Sequence, residues 1–197
     1  ASGSAGNLTV ESQRLRVANG AQISASSSSA GAGNMRIIAS EIEIIGQDFN
    51  NQFASGLFVS AEEEATGKGG NLTIETEKLR VVDAGLISVA TFGAADAGDL
   101  RIIASDIEII GESPDSTSAS SVSASAERGS SGNGGNLIIQ TERLRIVDSA
   151  FVDNPAAGSD DEHVRRSLGP VGPSDFAGSI IKQWIRQIVL FRKGHII

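Results

Sequence analysis

At 197 residues the chain is long enough to bury one sizeable core, yet aromatic residues make up 4% of it, so that core must be aliphatic and layered. The absence of cysteine excludes a disulfide framework and thiol chemistry. A net charge of −8, with 19 acidic against 10 basic groups over residues 1–152 and few aromatic platforms, argues against a nucleic-acid partner.

The same short phrase recurs five times: Gly6-Asn7-Leu8-Thr9-Val10, Gly33-Asn34-Met35-Arg36-Ile37, Gly70-Asn71-Leu72-Thr73-Ile74, Gly98-Asp99-Leu100-Arg101-Ile102 and Gly135-Asn136-Leu137-Ile138-Ile139. The Asn/Asp anchors lie 27, 37, 28 and 37 residues apart, so short and long units alternate. Self-similarity at such periods marks one supersecondary unit stacked on itself. Counting from each anchor, aliphatic residues fall at offsets one, three, eight and ten, as in Leu8, Val10, Leu15 and Val17 or Met35, Ile37, Ile42 and Ile44. Period-two alternation in short runs bounded by Gly and Asn predicts two half-buried strands. A third follows, with Ile23, Ile87 and Val152 aligned in the short units and Leu57–Val59 and Val122–Ala124 in the long ones.

Three short strands per unit predict an all-β fold, a right-handed parallel β-helix of about five three-stranded coils over residues 1–153. A propeller blade would need four antiparallel strands, and tight hairpin signals are scarce. In-register stacking predicts an amide ladder through Asn7, Asn34, Asn71 and Asn136, with Asp99 its one interruption.

Charge patterning supports the same stacking. At offset seven the units read Arg14, Glu41, Lys78, Asp106 and Arg143, and at offset nine Arg16, Glu43, Arg80, Glu108 and Arg145, alternating in sign throughout. Flanking an inward aliphatic, both columns point outward, where each exposed pair contributes about 0.2–1 kcal/mol and acts as a register device. On this reading Glu43→Arg lowers thermal stability more than an outward Thr73→Arg.

The units beginning at Gly70 and Gly134, GNLTIETEKLRVVDAGLISVATFGAADAGD and GGNLIIQTERLRIVD, resemble the repeat arrays of filamentous haemagglutinin-like exoproteins of the two-partner secretion (TpsA) type, particularly cyanobacterial ones. The resemblance covers about residues 1–153. It implies a secreted or outer-surface protein, exported through an outer-membrane TpsB-type transporter by an N-terminal secretion domain that this sequence does not include. It further implies a monomeric rod, or a fragment of a longer chain, acting as a β-helical stalk in adhesion or surface coating.

The pattern stops after Asp153. Residues 154–173 read as a linker, with Asn154-Pro155, an acidic patch at Asp160-Asp161-Glu162 and Gly169-Pro170-Val171-Gly172-Pro173. Over 174–197 the spacing predicts an amphipathic helix capped by Ser174 or Asp175, with Ile180, Ile181, Trp184, Ile185, Ile188 and Val189 on one face. Three readings are open for it: a cap on the end of the solenoid, a basic helix on a membrane surface, or a foreign sequence joined on by truncation or a shifted reading frame. No run is long and apolar enough to span a membrane.

No catalytic, cofactor-binding or metal-ligating set is expected. His163 and His195 lie in the tail, away from every repeat corner, and Glu62-Glu63-Glu64 reads as a solvated corner. Asp96 and Asp99, near Gly93 and Gly98, lack the regular Gly-Gly-x-Gly-x-Asp spacing of calcium-binding solenoids. The long units instead carry seven-residue insertions, Gln47–Phe53 and Glu112–Ser118. The first presents Phe49, Asn50, Asn51 and Phe53, a surface suited to a cell-surface glycan or protein receptor. The sequence therefore reads first as an adhesin stalk and alternatively as a carbohydrate-binding β-helix module. A third reading is a polysaccharide lyase or hydrolase-like enzyme, since such enzymes also use β-helices.

Overall fold

The structure, a computed structural model, describes residues 3–46, 53–111 and 118–154, together with the backbone of 188–192 and 195–196. The repeats form two stacks of parallel strands. Each unit places an eleven-residue strand in the first stack: β1 (Leu8–Ala18), β3 (Met35–Ile45), β5 (Leu72–Val82), β7 (Leu100–Ile110) and β9 (Leu137–Val147). A shorter strand enters the second stack: β2 (Gln22–Ser24), β4 (Gly56–Ala61), β6 (Leu86–Thr91), β8 (Ser121–Ala126) and β10 (Phe151–Asp153). From β1 to β10 odd strands neighbour odd and even neighbour even, so the chain crosses from one sheet to the other at every element, a parallel β-helix-like arrangement.

The two strands expected at the start of each unit are one continuous strand with a bend. In β3 the buried residues are Met35, Ile37 and Ala39, then Ile42 and Ile44, so inward parity shifts by one between Ala39 and Ile42. The register skips the same place, pairing Ala39 with Thr76 and Glu41 with Lys78 but leaving Ser40 out. Every strand of the stack bends at the same offset, which keeps the ladder in register while the sheet turns a corner. Thr76 Oγ1 lies 3.1 Å from both Ser40 O and Lys78 O, supplying the bend with a donor. Thr141 Oγ1 does the same, 3.2 Å from Ser105 O and 2.9 Å from Arg143 O.

Between the sheets lies one aliphatic core, in which Ile37, Ile74 and Ile102 of the first stack and Leu57, Ile87 and Val122 of the second are fully buried. The third-strand positions share one register column: Ile23 faces Leu57, Leu57 faces Ile87, Ile87 faces Val122, and Val122 faces Val152. In-register stacking of branched side chains fills the inter-sheet space in repeated layers, which is how so little aromatic volume suffices.

The repeated Gly-Asn phrase has two steric and hydrogen-bonding causes. A Cβ on Gly33 would sit 2.0 Å from Gly6 O, and the same collision recurs for Gly70 on Gly33 O, Gly98 on Gly70 O and Gly135 on Gly98 O. Beside this glycine column runs the anchor ladder, which differs from the expected amide-to-amide stack. The backbone N–H of Asn34 donates to Asn7 Oδ1 at 2.9 Å, that of Asn71 to Asn34 Oδ1 at 2.9 Å, and that of Asp99 to Asn71 Oδ1 at 2.8 Å. Asn136 N–H donates in turn to Asp99 Oδ1 at 2.8 Å. Asp99 is therefore no interruption, because the ladder asks each anchor for a side-chain acceptor and a carboxylate supplies one.

Among the described residues there is no helix. Ile188 and Val189, expected on a helical face, lie instead in β11 (Ile188–Arg192), parallel to β9, with Ile188 opposite Leu137 and Val189 opposite Ile138. A two-residue strand, β12 (His195–Ile196), pairs antiparallel with β11. The open edge of β9 offers unpaired N–H and C=O groups, and a run of Ile, Val, Leu and Phe has the branched and aromatic character that a strand accepts. Ile180, Ile181, Trp184 and Ile185 lie outside the described residues.

Candidate functional site

Two surface features are built by the repeat itself, a charged face on the second arm of the long strands and a row of turns and insertion necks at one corner. On the charged face the offset-nine column is bridged along its whole length. Arg16 Nε lies 4.0 Å from Glu43, Arg80 is 3.1 Å from Glu43 and 3.3 Å from Glu108, and Arg145 is 3.7 Å from Glu108. In the offset-seven column Arg14 reaches Glu41 at 2.6 Å and Arg143 reaches Asp106 at 2.7 Å. Lys78 stands in register between Glu41 and Asp106.

These contacts shift the ends of the offset-seven column. The hydrogen bond from Arg14 holds the Glu41 carboxyl below the usual range, and the matching bond raises the Arg14 guanidinium. Asp106 is lowered by its bond from Arg143, whose own value is raised. On the adjoining corner Asp96 is lowered chiefly by the backbone N–H of Asn133, which donates to Oδ1 at 2.9 Å alongside the Asn133 amide. Asp96 and Asp99 are thus occupied as acceptors within the stack. Among the described residues no group of three or more His, Cys, Asp or Glu converges on a point.

Thr73 lies in a different setting from the one its sequence suggests. It is in register with Arg36 on one side and Arg101 on the other. Arg36 reaches across this level to Glu75 at 2.9 Å, and Arg101 binds Gln140. Thr73→Arg would therefore also place three arginines in a row, and it fails as the neutral comparison for Glu43→Arg.

The row of turns and necks lies where each long strand ends. In the short units a two-residue turn with both central residues at positive φ closes it: Asn19 and Gly20, Asp83 and Ala84, Asp148 and Ser149. The closing bonds run from Ala21 N–H to Ala18 O, Gly85 N–H to Val82 O and Ala150 N–H to Val147 O, the geometry of a type I′ turn. In the long units Gly46 and Gly111, at φ 66° and 80°, open the insertions at the same corner. Each insertion is pinched at its neck by Ser55 N–H donating to Gly46 O, or Ser120 N–H to Gly111 O, both at 2.9 Å.

Two buried serines tie these necks to the turns of the preceding short units. Ser55 Oγ accepts from Gly20 N–H at 3.0 Å. Ser120 Oγ accepts from Ala84 N–H at 3.0 Å and donates to Ile110 O at 2.8 Å. Sequence reasoning missed this pair, although Ser-Gly in 55–56 and Ser-Ser in 120–121 at the same distance before Leu57 and Val122 were a signal. The corner thus alternates turn, neck, turn, neck and turn, with the two necks two strands apart, roughly 10 Å at the usual strand spacing. Phe53, at the first neck, is 60% exposed, while Phe49, Asn50 and Asn51 lie outside the described residues. Glu62, next to the second sheet, accepts from Ser60 Oγ at 2.7 Å, and Glu63 and Glu64 are exposed.

A scan against protein-family models, a search of curated proteins and a search of solved structures each returned no match.

Proposed function

We propose that this chain is a stretch of the stalk of a secreted, surface-displayed filamentous adhesin of the haemagglutinin-like, two-partner secretion type. In this reading the units close into a right-handed β-helix of five coils, and the parent chain leaves the cell through a TpsB-type outer-membrane transporter. The observation that supports it most is the corner row: insertions of differing sequence entered through matching necks at every second strand, on a scaffold whose register is locked by glycine, anchor and charge columns. Such a scaffold suits weak contacts repeated along a rod, whose sum gives avidity without a deep site. The test is adhesion of beads coated with the chain at graded density to cell or glycan surfaces. Retention that rises steeply with density supports the stalk; no retention at any density sinks it.

The exposed Phe53 favours a second reading, a carbohydrate-binding module using the first loop. A glycan array probed with the soluble chain and with Phe53→Ser separates the two. Saturable binding by the single chain, lost on substitution, selects the module.

A further inference from the structure

The ends of the charge columns specify what can add to the stack. Strand β1 terminates the first sheet and has β3 as its strand neighbour there, so its other edge offers backbone groups that every inner strand has paired. Arg80, inside the stack, has a carboxylate on each side and a side chain 34% exposed. At the β1 edge Arg14 and Arg16, among the described residues, have carboxylates on the β3 side alone and are 68% and 58% exposed. Because Glu43 approaches Arg80 more closely than Arg16, the Arg16 guanidinium is the less satisfied of the two.

Two further features of this edge are directional. Every inner anchor N–H donates to the Oδ1 of the preceding anchor, so by the same repeat Asn7 presents its N–H toward the free side. Gly33 is met by the carbonyl of Gly6, whereas Gly6 has open space where the next carbonyl would come.

From these we infer that the β1 edge is a docking edge for one kind of occupant: a parallel strand that begins Gly-Asn or Gly-Asp and carries carboxylates seven and nine residues after that anchor. Its glycine carbonyl sits on Gly6, its anchor oxygen accepts from Asn7 N–H, and its two carboxylates complete Arg14 and Arg16. A second copy of this chain stacked end to end is disfavoured, since its far edge presents Arg143 and Arg145 to Arg14 and Arg16, and β11 already occupies the first part of β9. This docking edge is independent of the adhesin reading.

The experiment extends the full chain by placing a copy of residues 33–69 directly ahead of Gly6. A matched extension carries Glu41→Arg and Glu43→Arg in the copy alone. Melting is followed in low salt and in 1 M NaCl, with hydrogen exchange of the β1 amides and light scattering of the parent chain. The acidic copy is expected to melt at least about 2–4 °C above the arginine copy in low salt, with the gap narrowing in high salt as screening shortens to a few ångströms. Slower exchange of β1 amides with the acidic copy than with the arginine copy supports docking even where melting is not cooperative. Equal melting and equal exchange for the two extensions overturns the charge rule. Head-to-tail oligomers of the parent chain in low salt overturn the exclusion of a second copy.

Discussion

Glu43, like Glu108, lies between two arginines of the outer face, and reversing it tests the ladder directly. Its side chain is 17% exposed, 3.1 Å from Arg80 and 4.0 Å from Arg16, so Glu43→Arg removes two attractions and creates two repulsions across neighbouring strands. At about 0.2–1 kcal/mol per partly exposed pair, four such changes amount to roughly 1–4 kcal/mol. For a chain of this size each kcal/mol lowers Tm by about 2–4 °C, so the expected loss lies between roughly 2 and 16 °C at low ionic strength. The comparison is Ser88→Arg in the second sheet, whose register neighbours Phe58 and Ser123 are uncharged. Both variants are melted by far-ultraviolet circular dichroism in low salt and in 1 M NaCl. A Glu43→Arg loss no larger than that of Ser88→Arg, or one that salt leaves unchanged, would refute the electrostatic account.

Three further outcomes follow from the same columns. Gly33→Ala brings a methyl group 2.0 Å from Gly6 O and is expected to cost about 1–3 kcal/mol, whereas Gly6→Ala meets open space and stays within about 0.5 kcal/mol; equal denaturation midpoints would discount the close approach. Asp99→Asn keeps the acceptor for Asn136 N–H and leaves stability nearly unchanged, while Asp99→Ala costs about 0.5–1.5 kcal/mol in urea unfolding; a costly Asn would mean that the charge matters rather than the acceptor. Glu41, Asp106 and Asp96 all have folded values lowered by hydrogen bonds, so their contribution is present above the ordinary carboxylate range near pH 4 and is lost as pH falls through the lowered values. Tm should therefore hold from pH 7 to about pH 5 and fall below about pH 4, and a profile flat down to pH 2 would contradict those assignments.

Much of this architecture is legible in the chain because parallel, in-register stacking places equal offsets of successive units side by side. Once the anchors are aligned, the neighbours of Leu57, Ile87 and Val122, and the opposite signs beside Glu41 and Glu43, follow from counting. Tertiary structure alone decided what depends on geometry beyond the repeat. A bend that shifts inward parity merged two expected strands into one, and Thr76 and Thr141 supply hydroxyls at that bend. Main-chain donors of the anchor ladder made Asp99 equivalent to asparagine, and register set Thr73 between two arginines. Ile188 and Val189 carry a helical spacing in sequence, yet the open edge of β9 draws them into a strand. Periodicity reports the local face of a segment, whereas an unpaired sheet edge is a non-local demand for hydrogen bonds that a short amphipathic run cannot announce.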